Sequence, residues 1–161
     1  MLKYILIAFL FLSLQGAGQK DWKLAIQTWT FHKYSFLESV DKADSLGIRY
    51  LEVYPGQQIG GTMPGVFSYQ LKKEERDKIK QYLQYKKVKV IAIGVVDKYY
   101  YTRDNLNDFF EFASYMEIPF ITAEPEWQDL DEFNRLAIKY NVKVALHCHP
   151  KPASHYWHPD S

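Results

Sequence analysis

The sequence is short of several things, and each shortage excludes something. It has one cysteine, Cys148, so no disulfide can close within the chain. That cysteine lies in an apolar strand candidate and is expected to be buried rather than reactive. Net charge is only +1, and no basic stripe runs along the chain to follow a phosphate backbone. This argues against nucleic acid as a partner. The apolar run from Tyr4 to Leu14 falls short of the roughly 20 residues that a bilayer-spanning helix needs. No low-complexity tract or long linker interrupts the sequence, so a single domain is expected. The glycines of PGQQIGGTMPG, beginning at Pro55, lack a following Lys-Ser/Thr and do not make a phosphate-binding P-loop. The triplet His147-Cys148-His149 has no second ligand pair at finger spacing, so it is not a zinc finger.

What is present points to a folded, exported domain. Hydrophobic residues make up 47% and charged residues 24%, a globular balance. Aromatic residues reach 17%, which suits either a pocket for sugars or a large aromatic core with a Tyr-rich surface. At the N-terminus Lys3 precedes the apolar run, and Gly16 and Gly18 sit at −3 and −1 of a cut before Gln19. This is the layout of a secretory signal peptide over residues 1–18, with a mature domain over 19–161. An uncleaved anchor is the alternative. With cleavage, the expectation is a periplasmic or otherwise exported protein with no stable membrane association. No cysteine near the cut offers a site for a lipid anchor.

Apolar strand candidates alternate with amphipathic helices. KLAIQTW, from Lys23, reads as a first strand. SFLESVDKADSLG follows as a helix, with Ser35 and Glu38 in a capping-box pattern and Gly47 as its stop. IRYLEVY is a second strand, and the Gly/Pro-rich PGQQIGGTMPG a loop. A helix is predicted from Lys73 to Tyr85, its lysines interleaved with acids as on a solvated face. VKVIAIGVV is the third strand, and a helix opens near Asp104. PFITAEP is the fourth strand. The next helix opens at Asp129, with Glu132 completing a second capping box, and VKVALHCHP is the fifth strand. Near-continuous apolar strands between helices indicate an α/β fold with a parallel sheet. Five strands and four helices make either a complete doubly wound sheet or the first half of an eight-stranded barrel. The closing HPDS reads as the lead-in to a further helix, capped by Asp160 or Ser161.

In parallel α/β folds ligands sit at the carboxyl ends of the strands. Polar groups collect there on every predicted strand: Trp29 and His32, Glu52 and Tyr54, Asp97 and Lys98, Glu124 and Glu126, His147 and His149. Residues two apart on a strand share a face, so His147 and His149 point together and Cys148 points away. Such a pair can grip one metal ion or a pair of substrate hydroxyls. Glu124 ends an apolar strand and precedes a proline, which fixes its position. It is a candidate for metal or substrate contact, with a structural ion pair or helix cap as the alternative. Glu52 and His32 are weaker candidates of the same kind. Lys151 is placed to neutralise an anionic intermediate, unless it is a solvated loop lysine. His155 and His158, beside Tyr156 and Trp157, lie on a loop that would make a lid.

The stretch from Trp22 to Gly61, then ITAEPE, then VKVALHCHPKPASHYW, resembles the xylose isomerase-like TIM-barrel family. That family is also described as sugar phosphate isomerase/epimerase and is related to endonuclease IV. The likeness is nearest to exported members from Bacteroides-type bacteria and covers about Asp21 to Ser161. The resemblance implies a (β/α)8 barrel with a divalent metal (Mn, Mg, Zn or Co) at the carboxyl-end rim. It implies isomerisation or epimerisation of a small carbohydrate through an enediolate-type intermediate. On this reading the residues collected at the rim take roles. Glu124 and His147 would hold the metal. Glu52, His149 and Lys151 would act in catalysis. His32, Trp29, Tyr54 and His147 would bind substrate. At the fifth strand several relatives carry Glu where this chain has His147.

Complete barrels of this type run to about 250 residues. A chain of 161 residues therefore reads as the N-terminal part, an incomplete barrel truncated after the fifth strand. A fragment of this kind is expected to be inactive alone and to self-associate through its open sheet edge. The alternatives are a non-catalytic carbohydrate-binding pseudoenzyme and a lyase or hydratase acting on oxidised sugars. DNA repair of the endonuclease IV type is disfavoured by the export signal and the near-zero charge.

Overall fold

The structure, a computed structural model, describes residues 22–158. The signal segment, the cut before Gln19 and the helix cap at Asp160 or Ser161 lie outside the described residues. Within them the elements run β1 (Ala25–Gln27), α1 (Phe36–Ser45), β2 (Tyr50–Val53), β3 (Gln58–Gly60), β4 (Met63–Val66), α2 (Lys73–Lys86), β5 (Lys89–Val96), α3 (Arg103–Tyr115), β6 (Phe120–Ala123), α4 (Leu130–Tyr140) and β7 (Lys143–Leu146). Short 3-10 turns at Thr28–Phe31 and Trp127–Asp129 follow β1 and precede α4.

Five strands form one parallel sheet in the order β1-β2-β5-β6-β7, with β3 and β4 paired as a separate antiparallel hairpin. This order settles the choice left open by periodicity. A doubly wound sheet reverses its strand order at a switch point. Here every crossover steps to the next strand in the same direction. With right-handed crossovers that puts all the helices on one face, as in a barrel wall.

Burial agrees. Leu51, Val53, Ile93, Ile121 and Ala123 lie fully buried on one face of the sheet, beneath Phe36, Val40, Ile79, Leu106, Phe110, Phe133 and Leu136 from the four helices. Each such Phe, Leu or Ile side chain removed from water contributes about 1.5–3 kcal/mol. The other face carries Gln27, Glu52, Ala92, Thr122 and Ala145, and stays partly open to solvent. It corresponds to the inside of a barrel. The chain is an α/β partial barrel.

Local signals worked where side chain and backbone satisfy each other at short range. Ser35 Oγ accepts from Glu38 N, and Glu38 returns a bond to Ser35 N at 2.8 Å, so the first capping box forms. The second does not. Trp127–Asp129 makes a 3-10 turn, and the buried Asp129 carboxylate accepts from Arg103 Nε at 2.6 Å and Tyr101 OH at 3.1 Å. A buried charge takes the cation rather than a local N–H. Glu132 pairs with Arg135 instead.

The segment PGQQIGGTMPG, expected to be loop, supplies most of the β3-β4 hairpin. Gly60 and Gly61 adopt φ of +86° and +61° at its turn, a region that glycine enters without a Cβ clash. Ile59 and the following Phe67 are buried, and Phe67 stacks on Phe36 at 4.7 Å.

Candidate functional site

Two backbone hydrogen bonds carry the parallel ladder beyond the regular strands: Glu124 N to Val96 O at 3.0 Å, and His147 N to Ala123 O at 2.9 Å. They hold Glu124 and His147 in register on the inner face, at the carboxyl ends of β6 and β7. His149, two residues on, returns to the same face. His147 Nδ1 lies 2.8 Å from Glu124 Oε1, and His149 Nδ1 contacts the same oxygen. The two rings meet edge-on, with centroids 4.5 Å apart. An ionised carboxylate only accepts, so in this arrangement both rings donate through Nδ1.

Glu124 is largely buried, whereas His147 and His149 are more open to solvent. Burial alone would raise its pKa. Hydrogen bonds from His147, Ser154 and His149 outweigh it and hold the carboxyl below its ordinary value. Glu124 is therefore an anion at neutral pH. The donor atoms of Glu124, His147 and His149 all lie within 4.8 Å of one another, a spacing that suits a single cation. One carboxylate and two imidazoles make a mixed oxygen and nitrogen set. That suits Zn, Co or Mn better than Mg, which prefers oxygen alone.

The other predicted residues fall into separate groups. Trp29, His32 and Tyr54 come together at the ends of β1 and β2. Trp29 stacks on His32 at 5.3 Å and meets Tyr54 edge-on at 5.1 Å. His32 Nδ1 is tied to Trp29 O at 2.9 Å, so it braces its own turn. Glu52 lies half-buried on the inner face, in register with Gln27 and Ala92. Lys151 is exposed, its ammonium 3.7 Å from the centre of the Trp157 ring. The cysteine expectation was wrong. Cys148, which alternation would turn away from Glu124, is exposed. Leu146, on the same side, is 57% exposed, so no helix among the described residues covers this end of β7.

Sequence reasoning missed the residues that support Glu124 from the side. Ser154 donates to Glu124 and accepts from Tyr156 N at 3.0 Å. The buried Tyr156 donates its hydroxyl to Pro125 O at 2.8 Å, which docks the segment after β7 onto the end of β6. Tyr101 OH accepts from Glu126 N at 3.0 Å and fixes the next residue of the rim. Ser154 and Tyr156 sit in an irregular stretch with no periodicity to mark them. The one available signal was the density of aromatic and histidine residues around them.

No protein-family model and no curated protein matches the chain. Solved structures do. An uncharacterised protein from Parabacteroides distasonis is 36% identical, with a TM-score of 0.76 over 81% of this chain and 54% of its own. D-psicose 3-epimerase, solved in the presence of D-fructose, is 10% identical, with a TM-score of 0.61 over 83% of this chain and 55% of its own. A xylose isomerase domain protein from Alicyclobacillus acidocaldarius is 12% identical, with a TM-score of 0.51 over 83% of this chain and 53% of its own. The fold is part of the TIM barrel that these structures share. The chain spans about half the length of these structures. In such a barrel the inner face and carboxyl-end rim hold the ligand, and Glu124, His147 and His149 stand there.

Proposed function

We propose that the chain is part of a metal-dependent isomerase or epimerase of small carbohydrates. The observation that carries this reading is the Glu124 carboxylate shared by His147 and His149 at the rim of the inner face. The neighbouring D-psicose 3-epimerase and xylose isomerase domain protein support it by fold. Glu124, His147 and His149 would hold the divalent cation. Such a cation would supply Lewis-acid polarisation of a substrate carbonyl, which acidifies the C–H on the carbon beside it.

The chain's own residues would do the rest. A carboxylate base, Glu52, takes the proton from the carbon beside the carbonyl. The electron pair moves to the carbonyl oxygen and gives an enediolate, and return of the proton to a new position or face completes the exchange. Trp29 and Tyr54 offer an aromatic wall to the sugar. Lys151, on a mobile-length side chain beside Trp157, would balance the enediolate charge. The five strands line one side of a rim, so we propose that these residues bind but do not turn over substrate alone. Export to a periplasm and self-association through the β7 edge belong to the same proposal.

A non-catalytic carbohydrate-binding role is the second reading, favoured by the exposed Trp29, which meets the half-buried Tyr54 edge-on. Calorimetry with D-fructose, with and without EDTA, separates the two. Binding that disappears on chelation is expected; binding unchanged by chelation would overturn the metal-dependent reading in favour of the second.

A further inference from the structure

A cleft of about 320 Å³ opens beside Glu124. Its walls are Asp97–Tyr99 after β5, Glu124–Glu126 after β6, and Pro152–Tyr156. Small-molecule sites run from about 300 to 1,000 Å³, so this one admits a single sugar unit. We propose, resting on the carbohydrate reading above, that this cleft takes an uncharged, hydroxyl-bearing part of the substrate and rejects a phosphate ester or a sugar-acid carboxylate.

Donors for an anion are scarce in the cleft. A phosphate or carboxylate is held by Arg or Lys forks, or by free backbone N–H groups. No arginine lines the cleft. Five of its nine backbone N–H groups are already used: Tyr99 N on Asp97 Oδ1, Glu124 N on Val96 O, Glu126 N on Tyr101 OH, Ala153 N on Pro150 O and Tyr156 N on Ser154 Oγ. Pro125 and Pro152 have no N–H to give.

The lining is also acidic. Asp97, Glu124 and Glu126 face one lysine, Lys98, whose Nζ lies 3.9 Å from Glu126 Oε1. His155 Nε2 also leans on Glu126, at 3.6 Å from Oε2. A cation held at Glu124 would add positive charge there, while the Asp97 and Glu126 carboxylates remain in the lining. Hydroxyl groups meet this lining well, because each carboxylate oxygen accepts an O–H. The buried Tyr156, with the Trp127 ring tilted against it at 5.2 Å, backs the cleft with an apolar wall.

Saturation-transfer NMR on the purified 161-residue chain with Zn²⁺ tests this, using D-fructose, D-fructose 6-phosphate and D-glucuronate as probes. D-Fructose should bind, with the phosphate ester and the sugar acid at least roughly tenfold weaker at low salt. Raising the salt should narrow that gap. Glu126→Lys, checked for folding by circular dichroism, should improve phosphate-ester binding by at least about fivefold. Phosphate-ester binding as tight as that of D-fructose in the unaltered chain would overturn the inference and leave the carbohydrate reading standing. No saturation of any probe would overturn both.

Discussion

Glu124 meets three donors at once, His147, His149 and Ser154, and this sharing sets what each neighbour does. Removing one imidazole leaves two ligands and an unbalanced carboxylate. His149→Ala is therefore expected to weaken Zn²⁺ binding at least about tenfold in a competition titration. Cys148→Ser, facing the other way, should leave it within about twofold. Equal effects would mean that the alternation does not carry into the segment after β7. Tyr101 offers a test at high pH. Burial raises its phenol pKa most, the bond from Glu126 N lowers it, and Asp129 raises it again; the outcome is about 12. A phenol whose pKa is higher in the fold than in the unfolded chain favours the neutral form. Its stabilising contribution is complete below the unfolded pKa of about 10 and is lost as pH rises toward the folded value. Urea midpoints between pH 9 and pH 11.5 should fall more steeply for the unaltered chain than for Tyr101→Phe. Parallel curves would contradict this.

The elements hold the site by close strand contact, and Gly94 on β5 is where β5 and β6 approach closely. A Cβ there would meet Thr122 O at 2.5 Å and Thr122 Cβ at 2.6 Å, just before Glu124 on the neighbouring strand. Gly94→Ala should cost about 1–3 kcal/mol in chemical denaturation and displace β6. An unchanged midpoint would show that the strands part more easily than the packing implies. The sequence announced most of these elements because their signals are local. Ser35 and Glu38 lie three residues apart and bond as the capping pattern predicts. At Asp129 the same pattern misled, because Arg103 and Tyr101 arrive from a helix and loop 26 and 28 positions earlier. The hairpin was hidden for a related reason: glycines read as loop, and only the packing of Ile59 and Phe67 turns them into strand boundaries. The facing of Glu124, His147 and His149 was legible, since strand alternation and the shared rim fix it. The Ser154 contact was not, because an irregular segment folds back by Tyr156 docking on Pro125.

At the scale of the molecule, the five-strand order puts every helix on one face and leaves the other as an open half of a barrel interior. The chain spans about half the length of the solved structures it matches. We expect no turnover of D-fructose by the 161-residue chain with Mn²⁺, followed by chromatography of the sugar products. Sustained metal-dependent conversion would contradict that expectation while strengthening the enzymatic reading. The proposed activity stands or falls with one metal site, at which Glu124, His147 and His149 on the inner rim would hold a divalent cation. Calorimetric titration of the purified chain with Zn²⁺, beside Glu124→Gln, tests it most directly. The expected result is one ion per chain, with that binding lost in the variant. Equal binding by Glu124→Gln, or none by the unaltered chain, would contradict it.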